Sequence, residues 1–191
     1  MRRIWIAAAC ALALAGCVSV TEAPVGAYAV GTDYSVKLGH AWSDVSQIMT
    51  GRPKKVHLLS MDGPALNRLY LSEGLSPGDF LVMPAVKEHP TPTYKAEMSP
   101  TEEVEFVADS VSALDYQRVE TSGLRPGKFG QNDALRFDIA AKTKEGLDMG
   151  GTALVAEKAG KLYVMLYLAP VEHYYAATLP EVERVFGSAG L

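Results

Sequence analysis

Basic runs, paired histidines and cysteine clusters are all missing from this chain of 191 residues. Lys and Arg number 18 against 22 Asp and Glu, a net charge of −4, so the electrostatic footprint of a nucleic-acid binder is absent. No apolar run reaches the roughly 20 residues a spanning helix needs. The two cysteines, Cys10 and Cys17, both lie in the first 17 residues. His40, His57, His89 and His173 are scattered, with no pair at the i, i+3 or i+4 spacing that sets two metal ligands on one helix face. Each reads as a surface or internally satisfied histidine. Asp33, Asp62, Asp79, Asp115 and Asp138 lack the spacing of a calcium loop, and no internal repeat is visible. What remains is an ordinary globular composition, 48% hydrophobic and 21% charged, of a length suited to one domain. No cofactor or metal is implied.

Met1-Arg2-Arg3 supplies a positive start, and Ile4 to Leu14 forms an apolar stretch of 11 residues, the pattern of a secretory signal peptide over 1–16. It ends in Leu14-Ala15-Gly16-Cys17, which resembles the bacterial lipobox. That resemblance implies cleavage before Cys17, with diacylglycerol and palmitate on its sulfur and amine. Val18 stands where an Asp would favour inner-membrane retention, so the resemblance implies outer-membrane sorting with the domain facing the periplasm. Cleavage would remove Arg2, Arg3 and no acid, leaving −6. The bilayer is then held by acyl chains, at about 0.8 kcal/mol per buried methylene, and not by a basic surface. No thiol would remain for a disulfide or a nucleophile.

Val18 to Asp33 mixes small residues with Pro24, Gly26 and Gly31 and has no sustained period, so 17–33 reads as the lipidated cysteine and a flexible tether, with a single domain over 34–191. Within it, Tyr34 to Leu38 alternates as a strand and Trp42 is a core candidate. Val56 to Met61 and Leu66 to Glu73 flank the turn signal Asp62-Gly63-Pro64 and predict a hairpin. The prolines between Met83 and Pro100 predict a surface loop. Ser99, Pro100 and Glu102 then form a capping box, with Val104, Val107, Val111 and Leu114 along one helix face. Glu102, Glu103 and Glu105 make an acidic first turn that suits the helix dipole.

Tyr116 to Ser122 reads as a strand and Arg125 to Asn132 as a loop. Ala134 to Lys144 alternates Leu135, Phe137, Ile139 and Ala141 inward against Arg136, Asp138 and Lys142 outward. Gly146 to Gly151 reads as a hairpin turn, with Thr152 to Glu157 and Lys161 to Ala169 following as strands. Lys161 to Ala169 is apolar on both faces, as a covered strand requires. Thr178-Leu179-Pro180-Glu181 has a second capping-box pattern, with Val182, Val185 and Phe186 on one face and Gly187 as the stop. These elements predict an α+β domain: a twisted antiparallel β-sheet of about six to seven strands, ending in a meander, packed by two helices. Gly160-Lys161-Leu162-Tyr163 opening the penultimate element, and Val185-Phe186-Gly187-Ser188 closing the last helix, make the C-terminal half resemble the Mog1/PsbP-like fold. That resemblance implies a binding or assembly factor more than an enzyme.

Gly74-Leu75-Ser76-Pro77-Gly78 matches the G-x-S-x-G pattern of esterases, but Pro77 has no N–H to build the oxyanion hole. A plain turn is favoured, and no catalytic residue is assigned. His173-Tyr174-Tyr175, joining the last strand to the last helix, is the candidate binding surface, since tyrosines offer contact area at low entropy cost. One ring capping the core is the competing reading. The favoured function is a lipid-anchored envelope protein that binds an envelope partner or small ligand without catalysis. The alternative is an envelope hydrolase with a site assembled from distant residues.

Overall fold

The computed structural model describes residues 20–48, 53–83 and 91–190; the segment 1–16 expected to be a signal peptide, Cys17 and His89 lie outside them. An eight-stranded sheet runs in the order β1 (Thr21–Ala23), β4 (Trp42–Asp44), β5 (Val56–Ser60), β6 (Arg68–Ser72), β10 (Lys161–Pro170), β9 (Asp148–Lys158), β8 (Asn132–Lys142), β7 (Gln117–Phe129). All its ladders are antiparallel. A separate ribbon pairs β2 (Gly26–Val30) with β3 (Tyr34–Leu38). Helices α1 (Pro100–Ala113) and α2 (Ala176–Gly187) complete the α+β fold. Among the described residues, no helix is long and apolar enough to cross a membrane.

The two-faced strand β10 explains the layering. Leu162, Val164, Leu166 and Leu168 join the apolar cluster under α1, with Phe106, Val107 and Val111. Tyr163, Met165, Tyr167 and Ala169 join the opposite cluster, with Val182, Val185 and Phe186 of α2 and with Tyr34, Val36 and Leu38 of β3. Burying each such side chain is worth about 1.5–3 kcal/mol, so a strand that serves both cores is the hub of the fold. Register Leu69↔Tyr167 and Leu71↔Met165 joins the two halves of the sheet. Trp42 is fully buried.

Sequence expectation and structure agree at α1, where Ser99 caps and Glu102 returns to the Ser99 amide at 2.8 Å, and at the predicted hairpins. They part at five places. Residues 21–30, read as tether, form β1 and β2: Ala23 and Val30 are buried, and this short apolar spacing carries no periodic signal by itself. Of the predicted loop Arg125 to Asn132, Arg125 to Phe129 continue β7, Gly130 and Gln131 make the turn and Asn132 opens β8, because β7 is an edge strand where Pro126 need not donate to a ladder. Arg136 points into the core: its guanidinium donates to Thr152 and Glu183 at 2.9 and 2.6 Å and lies 4.5 Å from the centre of the Phe186 ring. Gly150 and Gly151 belong to β9, not to the turn. Finally, α2 starts before Thr178, and Glu181 faces away from the helix start.

Candidate functional site

Strand β10 ends at Pro170, paired with Met149, and the chain must cross from the sheet to α2 in the five residues Val171–Tyr175. It does so through His173, whose φ of 70° and ψ of −41° fall in a region that costs a non-glycine residue on the order of 1–3 kcal/mol. Two tyrosines over-determine this conformation. The Tyr175 ring stacks on Tyr167 at 5.8 Å and 20°, and its hydroxyl donates to the Gly151 carbonyl at 3.2 Å. Gly150 makes the slot, since a Cβ there would come within 2.9 Å of the ring. The Tyr167 hydroxyl donates to the Tyr174 carbonyl at 3.3 Å. Burial pushes the Tyr167 phenol up to about 12 and raises that of Tyr175 as well, so both remain neutral donors.

The outcome divides the predicted patch. Tyr174 and Tyr175 are half-buried against the core, while Val171, Glu172 and His173 stand in solvent. Leu147, exposed in the neighbouring β8–β9 turn, lies two residues before Met149 at the same end of the sheet. The connection is a rigid base of aromatic rings that displays a strained, exposed turn.

His40 and His57 are brought to carboxylates distant from them in the chain. The His40 Nδ1 lies 3.1 Å from Glu181 on α2. His57 on β5 has Nε2 at 2.9 Å from Glu73 and Nδ1 at 2.8 Å from the Tyr28 hydroxyl, which donates to Asp44 at 2.8 Å. This chain of four groups was missed because Tyr28 fell in the supposed tether and the partners lie 16 to 29 residues apart. Burial raises the Asp44 carboxyl, yet the Ser46 hydroxyl and amide, Tyr28 and the nearby His57 together hold it below its usual range.

At the G-x-S-x-G segment, the Ser76 hydroxyl accepts from Lys55 Nζ at 2.9 Å, and Lys55 is also 2.6 Å from Asp79, whose same oxygen accepts the Ser76 amide at 2.7 Å. An ammonium in an ion pair has no lone pair to take the serine proton, so this is a turn lock and not a nucleophile–base pair. Among the described residues, no group of three His, Cys, Asp or Glu could hold a metal ion. Glu103 is buried, and burial followed by the Glu157 carboxylate pushes its carboxyl up to about 7; it does more than serve the helix dipole.

No protein-family model and no curated protein sequence matches the chain. Similar folds are found among solved structures. Cyanobacterial PsbP (CyanoP) from Synechocystis matches with a TM-score of 0.52 at 14% identity, over 93% of this chain and 95% of that one. The Ran-binding protein Mog1p from Saccharomyces cerevisiae matches with a TM-score of 0.50 at 9% identity, over 90% and 95%. LpqN of Mycobacterium tuberculosis, described as involved in cell envelope biogenesis, matches with a TM-score of 0.37 at 10% identity, over 90% of each chain. The chain has the Mog1/PsbP-like fold.

Proposed function

We propose that this protein is an envelope lipoprotein, anchored through acylated Cys17 in the outer membrane and facing the periplasm, that binds a partner without catalysis. The strained turn at His173 carries the binding part of this reading. Backbone strain persists only where the surroundings enforce it, and such residues cluster at functional sites. Here the enforcing parts are Gly150, Tyr167 and Tyr175, and what they present is an exposed turn with Val171 and Leu147 beside it. The anchoring part rests on Leu14-Ala15-Gly16-Cys17.

The hydrolase alternative draws on the contacts of His40 and His57 with carboxylates. Among the described residues no hydroxyl or thiol is hydrogen-bonded to His40, and His57 spends its second nitrogen on Tyr28, whose hydroxyl is committed to Asp44. Two cavities, of about 280 Å³ beside Phe106 and Met98 and about 270 Å³ beside Asp33 and Lys161, are lined by other residues than these histidines.

A photoreactive residue at position 173, irradiated in native membranes, tests the proposal. A discrete adduct from 173 and none from an equivalent label at Lys128 on β7 is expected. Equal labelling from both positions, or none from 173, contradicts the binding surface.

A further inference from the structure

We propose that Tyr28, Asp44, His57 and Glu73 form a proton-operated clasp that holds β2 on the domain while the His57 ring is an imidazolium and loosens it when the ring loses its Nδ1 proton. Three contacts of 2.8, 2.8 and 2.9 Å link Asp44 to Tyr28, Tyr28 to His57, and His57 to Glu73. With both carboxylates ionised, the Tyr28 hydroxyl hydrogen is spent on Asp44. The Tyr28 oxygen must then accept from Nδ1, and Glu73 must accept from Nε2. Three contacts need three hydrogens, and only the doubly protonated ring supplies them.

A neutral ring leaves two hydrogens for three contacts. The charge-assisted bond to Glu73 is the stronger, so Nε2 keeps its hydrogen and Nδ1 gives it up. Tyr28 then faces two acceptors at 2.8 Å with one hydrogen, and one contact must open. Histidine is the side chain whose charge ordinarily changes between about pH 5 and 8.

The position makes the contact consequential. β2 is paired on one side only, to β3, and of its five residues Val30 alone is fully buried. Tyr28 also ties it to the domain, through the network and an edge-on contact with the His57 ring at 5.6 Å. Glu73 lies against the β2–β3 turn, where a Cβ on Gly31 would come within 2.8 Å of it. Among the described residues, the titratable groups hydrogen-bonded around His57 are Tyr28 from β2, Asp44 from β4 and Glu73 beyond β6. Tyr34 from β3 stands next to these, its buried hydroxyl without a hydrogen-bond partner and its ionisation opposed mainly by burial and also by Glu73 and Tyr28. Lys55, earlier on the same edge of the sheet, is turned toward Ser76 and Asp79.

Hydrogen exchange of the full chain, expressed as protection relative to the intrinsic rate at each pH, tests the clasp. Protection of 26–30 should fall at least fivefold between pH 5.5 and pH 8.0 while that of β9 and β10 holds. Tyr28→Phe, which keeps the ring and removes the hydroxyl, should make β2 protection low and independent of pH, as should His57→Gln. Nitrogen-15 spectra of the His57 ring at pH 5.5 should report both nitrogens protonated. Unchanged β2 protection in the parent protein, a fivefold fall that persists in Tyr28→Phe, or a singly protonated ring at pH 5.5 overturns the proposal.

Discussion

The Glu181 carboxylate on α2 accepts the backbone N–H of Gly39 at 2.6 Å, across 142 residues of sequence. The same group accepts the His40 amide at 3.1 Å and the Arg184 guanidinium at 2.7 Å while almost fully buried. One carboxylate thus pins the β3–β4 connection to the last helix. Glu181→Ala removes the acceptor of two backbone donors on exposed residues, at about 0.5–1.5 kcal/mol each. A drop of roughly 2–12 °C in the thermal midpoint is expected for a domain of this size. The other donors outweigh burial and hold the Glu181 carboxyl below its usual range. Its contribution is therefore present at neutral pH and lost as pH falls through its folded value, so the gap between parent and variant should close in acid.

Glu103 has the opposite sign. With its carboxyl raised to about 7, the folded state binds a proton more tightly than the unfolded one. The protonated form is favourable below the usual carboxylate range, and stability is lost as pH rises toward 7. Glu103→Gln should remove that loss, gaining on the order of 1–3 kcal/mol over the parent at pH 8. Urea unfolding at pH 5 and pH 8 checks it: a stability gap that does not widen with pH contradicts the assignment.

His173→Gly should stabilise the isolated protein by about 1 kcal/mol, because glycine tolerates positive φ. Gly150→Ala should destabilise it by about 1–3 kcal/mol, since the methyl group meets the Tyr175 ring. Thermal scans of both variants measure this pair. A stabilised His173→Gly that also loses its photo-adduct at a neighbouring label would tie the strain to binding.

A chain that begins at Thr32 should be clearly less stable than the parent. It lacks β1 and β2 and so strips the buried Ala23 and Val30 from the core, at a cost of on the order of 3 kcal/mol. An unchanged urea midpoint would mean that residues 21–30 do not belong to the domain. Ser76→Ala, by contrast, removes one half-buried acceptor from Lys55 and should shift stability by about 1 kcal/mol or less.

Elements with strong local chemistry were legible: the Ser99 capping box, the β5–β6 hairpin and the doubly apolar β10 follow from neighbouring residues alone. Elements decided by tertiary contact were not. Tyr28 sits between small residues that carry no period, and only Asp44 and His57 reveal its role. Arg136 alternates as an outward residue should, yet α2 covers that face and Glu183 and Thr152 satisfy its guanidinium. Thr178 and Glu181 have capping spacing, but the helix begins earlier and the carboxylate is drawn to the Gly39 amide. At the candidate site, the residue types His173, Tyr174 and Tyr175 pointed to the connection. The positive φ of His173 and the glycine slot beneath Tyr175 are properties of the packed structure.

Lipid anchoring is read from the mass of the N-terminal peptide of the protein recovered from native membranes. Anchoring at the lipobox requires a chain that starts at Cys17 and carries a thioether-linked diacylglycerol. A chain that retains residues 1–16, or one that starts elsewhere with an unmodified cysteine and partitions with the soluble fraction, would contradict it.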